Sequence, residues 1–331
     1  MSDLSEVRKG DSFGRLAGLG NIASEISPGG RVASTRRSPS ARLLTANLSI
    51  ETVSARDHQA DLPEVPLDER AFDIAVLSDV GMERDSNEDS SGYFIDSDAV
   101  VFAIADGIGG YEGGEVASAM AVEMTFEAWR DSPTSWGAGK RLGRAAQRAN
   151  IEIHNRALTI PELRMMGTTL TAVAVERGML YAAHVGDCRL YLLRGHKTVQ
   201  LSKDHSVTGE RVRMGLMSED QARVHPERSL LTRTVGHDLI ASVDRITMPL
   251  VRGDRLVLCS DGLYNVLREA EIEYITRDQD AAASCRNLID AANERGTGDN
   301  LTAAVFRMIA DTGLKATPIG WRAKLRGLFG R

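Results

Sequence analysis

The run Ala99-Val-Val-Phe-Ala-Ile-Ala105, closed by Asp106 and a glycine-rich turn, constrains this chain more than any other stretch. An apolar run of that length, rich in β-branched and aromatic residues, reads as a buried strand. Asp106 ends the strand, Gly107-Ile108-Gly109-Gly110 follows, and Glu112 opens a helical segment. This places a carboxylate at the rim of a sheet, beside backbone free to turn. Oxygen at such a rim suits a hard cation. Taken alone, the pattern is also that of a solvated strand-to-helix connection. It is neither kind of nucleotide loop: no Gly-Lys-Ser/Thr follows, and the glycines are not spaced as in a dinucleotide fingerprint.

Recurrence gives the pattern meaning. Asp254-Arg-Leu-Val-Leu-Cys-Ser260 is a second apolar strand, and it runs into Asp261-Gly262. Gly298-Asp299-Asn300 precedes the strand-like Leu301-Thr-Ala-Ala-Val-Phe306, Gly186-Asp187-Cys188 joins two strands, and Asn87-Glu88-Asp89 precedes another. Asp and Gly both favour turns, so each site alone is open to an ordinary turn reading. Together, Asp89, Asp106, Asp187, Asp261 and Asp299 predict a rim of carboxylates whose mutual repulsion is relieved only by cations or protons. An all-oxygen donor set favours Mg²⁺ or Mn²⁺ over Zn²⁺. Two such ions roughly 3.5–4 Å apart clamp a phosphoryl group for in-line displacement.

The rest of the chain reads as one α+β domain, a two-sheet antiparallel β-sandwich flanked by helices on both sides. Short strands are predicted near 72–78, 92–95, 99–105, 167–175, 179–185, 190–193, 243–246, 254–260 and 301–306. Their close spacing and tight turns call for antiparallel pairing. Helices are predicted over 115–129 and 140–158, the second with Leu142, Ala146, Ala149, Ile153 and Ala157 on one face, and over 269–276 and 281–294. Residues 204–237 read as an exposed flap with some helix near 219–224. Residues 1–70 show no sustained period and read as a flexible arm. Within the arm, Pro28 to Arg42 is a basic patch, read as a solvated linker or as a docking or kinase site at Ser38. The domain is assigned to 71–309, and 310–331 to a basic amphipathic tail. In that tail Trp321, Leu325 and Leu328 fall at helical spacing, open to docking on an acidic membrane or a partner groove, or to packing on its own domain.

A net charge of −6 over 331 residues argues against a general nucleic-acid binder. The three cysteines lack CxxC spacing and read as buried reduced thiols. The start lacks signal-peptide order and no apolar run approaches a membrane span, so a cytoplasmic protein is expected. His184 sits in an apolar strand and reads as a satisfied core histidine.

The ordered set Asp79-x-Gly81-x-x-Arg84-x-x-Asn87-Glu88-Asp89, Ala105-Asp106-Gly107-x-Gly109-Gly110, Gly167-Thr168-Thr169, His184-Val-Gly-Asp187-x-Arg189, Asp204-His-Ser, Leu231-Thr-Arg233, Ser260-Asp261-Gly262 and Gly298-Asp299-Asn300 resembles the bacterial branch of the protein phosphatase 2C (PPM) family. The resemblance spans about residues 71–308. It implies a metal-dependent hydrolase of phosphoserine and phosphothreonine on proteins, with a metal-bridging hydroxide in a binuclear Mn²⁺ or Mg²⁺ site. Asp106 would bridge the metals, the Gly107 carbonyl would ligate one, and Asp261 and Asp299 the other. Asp89 would hold water, Asp187 would help hold a third, weaker ion near the flap, and Arg84 would grip the substrate phosphate. A guanidinium suits that last task because it binds two phosphate oxygens at once. Its competing role is an ion pair with a nearby acid, Glu88 or Asp89. Ile108 stands where animal-type members carry a proton-donating His, which leaves the leaving-group acid unassigned. The substrates implied are targets of a Ser/Thr kinase in bacterial signalling or secretion. Two alternatives stay open: a non-catalytic interaction protein of this fold, and a small-molecule phosphatase.

Overall fold

The computed structural model describes residues 71–96, 99–109 and 113–310. In chain order the strands are β1 (Phe72–Asp79), β2 (Asp89–Ile95), β3 (Ala99–Ile108), β4 (Gly167–Thr168), β5 (Leu170–Glu176) and β6 (Met179–Val185). They continue as β7 (Arg189–Arg194), β8 (Lys197–Gln200), β9 (Asp244–Pro249), β10 (Arg255–Cys259) and β11 (Leu301–Met308). The helices are α1 (Gly113–Asp131), α2 (Ala138–Thr159), α3 (Val207–Arg213), α4 (Glu219–Arg223), α5 (Asp261–Tyr264), α6 (Glu269–Thr276) and α7 (Ala281–Glu294).

β3 shows how the layers arise. Successive side chains of a strand point to opposite faces. Val100, Phe102 and Ile104 enter one apolar core, while Val101, Ala103 and Ala105 enter another. The first core lies between two antiparallel sheets, ordered β1-β11-β10-β7-β8 and β2-β3-β5-β6-β9, with β4 extending the edge of β3. At its centre Phe306 stacks on Phe102, with ring centroids 6.2 Å apart, and on Phe72 at 5.8 Å. Fully burying one such ring contributes about 1.5–3 kcal/mol. The second core joins the outer face of the β3 sheet to α1 and α2, through Phe126, Trp129, Leu142 and Ile153. A third joins the β11 sheet to α7, through Cys285, Leu288 and Ile289. The expected sandwich with helices on both sides is therefore the fold. The predicted stripe of α2 is buried at all five positions.

Several local expectations are corrected. β3 does not end at Asp106; it runs on to Ile108, with Gly107 opposite Thr168 and Ile108 opposite Gly167. Asp261 opens α5 rather than closing a strand, with Ser260 at the N-cap position. The strand near 92–95 begins earlier, at Asp89. β8 and α3 were not expected, because four and seven residues are too short to show a period. α3 instead carries a cap signal, Ser206 Oγ accepting from the Gly209 amide at 3.1 Å. The arm over 1–70 and the tail beyond residue 310, with the Ser38 and docking readings, lie outside the described residues. Among the described residues no helix is long and apolar enough to cross a membrane. All three cysteines are buried and unpaired in disulfides. Burial pushes Cys259 and Cys285 up to about 12 and raises Cys188 well above its ordinary value, which disfavours the reactive thiolate in all three.

Candidate active site

Asp89 and Asp106 stand opposite each other across the β2–β3 ladder. Asp89 is buried. Its Oδ2 accepts hydrogen bonds from Ser260 Oγ at 2.6 Å and Thr302 Oγ1 at 2.7 Å, while its Oδ1 is buried and has no partner. The Asp106 backbone is held on three sides. Its amide donates to Thr169 Oγ1 at 2.8 Å, and its carbonyl accepts from the Thr169 amide at 2.9 Å and from Thr168 Oγ1 at 2.7 Å. Thr168 and Thr169 thus bond the Asp106 backbone.

The β11 sheet delivers the other acids. Asp261 follows β10 and Asp299 precedes β11, and their two turns interlock at Gly262. A side chain there would place Cβ 2.1 Å from the Asn300 carbonyl oxygen, so only glycine permits the approach. Gly107 is equally constrained, with Glu88 O at 2.8 Å and Gly114 O at 2.2 Å from where its Cβ would lie. Asp187 lies in the β6–β7 connection, is buried, and accepts a hydrogen bond from Tyr264 Oη at 3.2 Å.

The five acids feel one another. Burial is the largest push on Asp106, followed by the charges of Asp89, Asp261, Asp187 and Asp299; together they hold its carboxyl well above the usual range. Asp106 keeps some accessible surface, yet protein surrounds it closely enough for desolvation to lead. Burial also raises Asp89 to about 7, against the two hydroxyl hydrogen bonds, and raises Asp261 to about 6, with Asp299 adding to it. Asp187 is raised well above its ordinary value by burial, then by Asp261 and Asp204. Among the described residues no three His, Cys, Asp or Glu side chains close into a preformed metal cage. The arrangement is an open ring of acids, and Arg84 occupies one member: its Nη2 lies 2.8 Å from Asp299 Oδ1. The ion pair weighed for Arg84 thus exists, with Asp299 rather than Glu88 or Asp89. Both side chains are part-exposed, at 45% and 38%, so the pair is easily exchanged for another partner.

The donor chemistry fits hard divalent cations. Every donor is oxygen, the acids are crowded enough to resist ionising together, and Asp89 Oδ1 is a buried oxygen left without a donor. Residues 83–305 match the family model described as protein phosphatase 2C. The chain belongs to the protein phosphatase 2C family. The serine/threonine phosphatase stp of Listeria monocytogenes is 36% identical over 230 residues, covering 68% of this chain and 91% of that protein. The crystal structure of the Mycobacterium tuberculosis serine/threonine phosphatase PstP/Ppp superposes with a TM-score of 0.66 at 32% identity, covering 72% of this chain and 99% of that one. A structure of the PstP catalytic domain in complex with two manganese ions gives 0.65 at 30% identity, covering 72% and 98%.

Sequence reasoning missed the residues that hold these acids in place. Asn300 is the chief one. Its Oδ1 accepts from the Glu88 amide at 2.9 Å, and its Nδ2 donates to the carbonyls of Val80 and Ser86, both at 2.9 Å. One side chain thereby ties the Arg84 loop to the Asp299 turn. Ser260, Thr302 and Tyr264 are the others; only Ser260 and Asn300 sat inside a quoted motif. His184 is the satisfied core histidine expected. Its Nδ1 lies 2.8 Å from Thr171 Oγ1 and its Nε2 2.9 Å from the Lys203 carbonyl, and burial pushes it down to about 4.

Proposed function

We propose that this chain hydrolyses phosphoserine and phosphothreonine on proteins, with a pair of Mn²⁺ or Mg²⁺ ions held by Asp106, the Gly107 carbonyl, Asp261 and Asp299. The observation that carries this reading is the unpartnered, buried Asp89 Oδ1 inside a ring of mutually repelling acids. When bound, the ions supply a nucleophile from water near neutral pH and offset charge on the phosphoryl group. The chain's own residues do the remaining work. Arg84 exchanges Asp299 for the substrate and binds two phosphate oxygens in a fork. Asp89, fixed by Ser260 and Thr302, turns Oδ1 toward water and accepts its hydrogen bond. Asp187, steadied by Tyr264, is assigned to a third, weaker ion on the flap side. Ile108 offers no proton, so the leaving oxygen takes its proton from water.

Relatives named as serine/threonine phosphatases support protein substrates. The proposed substrates are targets of a Ser/Thr kinase, met in the cytoplasm. The interaction-protein alternative is disfavoured because none of the five carboxylates is missing. To separate protein from small-molecule substrates, a phosphothreonine peptide and a small phosphate ester are compared at equal Mn²⁺. The expected result is a kcat/KM at least tenfold higher for the peptide, in keeping with the binding energy that contacts remote from the reacting group contribute. Equal or lower values for the peptide contradict a protein substrate.

A further inference from the structure

The 204–237 segment, read from sequence as a flap, lines a cavity beside Asp261. Between α3, α4 and α5 lies a cavity of about 230 Å³. This is below the ~300–1,000 Å³ of typical small-molecule sites and suits one side-chain head group. Asp261 forms part of its wall, so the cavity borders the acid ring. Lys203, Arg189, Arg213, Arg223 and Arg228 line it, against the acids Asp204, Glu219 and Asp261.

The cations are unequally occupied. Arg189 and Asp204 neutralise each other through a fork, Nη2 at 2.7 Å and Nε at 3.1 Å from Oδ2, with the guanidinium 3.8 Å over the Tyr264 ring. Arg223 donates to the neutral carbonyls of Tyr264 and Asn265. Arg213 donates to the Asp204 carbonyl at 2.6 Å and stands 3.9 Å from Glu210. The side chains of Lys203 and Arg228 are exposed and make no hydrogen bond or ion pair among the described residues. Arg228 and Asp261 line the same cavity, so this free guanidinium lies on the side of the acids. Charge that the fold does not use therefore collects beside a site whose own acids repel an anionic substrate.

We propose that this cavity is a second anion subsite, taking a carboxylate or a second phosphate that flanks the phosphorylated residue of the substrate. The proposal rests on the phosphatase reading and adds to it a substrate class: phosphopeptides with acidic flanks. The test uses the full chain and phosphothreonine peptides in an alanine context. Glu is placed at single positions from three before to three after the phosphothreonine, and phosphoserine replaces Glu in a second set. Loss of the threonine phosphate is followed by mass spectrometry. The ratio of acidic to neutral kcat/KM cancels general changes at the acid ring.

Wild type is expected to favour an acidic flank about five- to tenfold at one or two positions, the worth of one or two part-exposed charge pairs. In the Lys203→Ala/Arg228→Ala double variant the ratio is expected to fall below twofold, and Arg228→Glu to invert it. A preference shown by both sets identifies a general anion subsite; one shown by phosphoserine alone identifies a phosphate subsite. A ratio at or below one everywhere, or one unchanged in the double variant, overturns the proposal. Anisotropy of the same labelled peptides in chelator reads the subsite without turnover. An acid-dependent affinity lost in the double variant upholds the subsite even if no peptide is hydrolysed, an outcome that counts against the phosphatase reading alone. Acid-independent affinity in that case overturns both.

Discussion

At the scale of single residues, Asp89 carries the largest conflict between stability and chemistry. Burial holds its folded-state pKa at about 7, above the unfolded value near 4. Below pH 4 both states are protonated and nothing is lost. As pH rises from 4 toward 7 the unfolded chain releases the proton while the folded chain keeps it, so stability falls, and the full penalty is present above 7. Asparagine is uncharged and keeps an oxygen for Ser260 and Thr302. In chelator at pH 8, Asp89→Asn is therefore predicted to be more stable than wild type by about 1–3 kcal/mol, with the gain vanishing near pH 4. Denaturant unfolding at the two pH values measures this. A variant less stable at pH 8 would show that Asp89 is not strained by its burial. With Mn²⁺ the same variant is expected to lose activity, since Oδ1 no longer accepts from water.

At the scale of elements, the site is an interlock of turns and loops. The Arg84 loop, the Asp261-Gly262 turn and the Asp299-Asn300 turn come from distant parts of the chain, and Asn300 ties the first to the last. Asn300→Ala leaves the Glu88 amide and two carbonyls without their partner, at about 1–3 kcal/mol for a buried polar group left unsatisfied. The predicted outcome is a lower Tm, together with a raised KM for phosphopeptide as the Arg84 loop loosens. An unchanged KM would mean that the loop is held by other contacts.

This is also where legibility in the sequence ends. The alternation of β3 and the stripe of α2 are local patterns, and both predicted their elements. The acids at strand ends were visible because Asp-Gly recurs. The partners Asn300–Glu88 and Thr302–Asp89 lie 212 and 213 residues apart, and no local period encodes such a bond. The extension of β3 beyond Asp106 was hidden for a related reason. Gly107 reads as a turn residue, yet it sits in a strand because neighbouring backbone approaches too closely for any side chain.

At the scale of the molecule, two sheets pack face to face and send acids from both to a common site. Asp89 and Asp106 come from the β2–β3 pair; Asp261 and Asp299 come from the connection between β10 and β11. Neither sheet alone assembles the ring, so sandwich packing around Phe102 and Phe306 is a condition of the chemistry. The central claim is that this ring exists to hold divalent cations that drive phosphate release. The most direct test measures phosphate released from a phosphothreonine peptide by wild type with Mn²⁺, by wild type with chelator, and by Asp106→Asn with Mn²⁺. The account predicts turnover in the first case, and a loss of at least 100-fold in the other two, on the scale of removing one strong transition-state interaction. Turnover that persists in chelator or in the folded Asp106→Asn variant would contradict it.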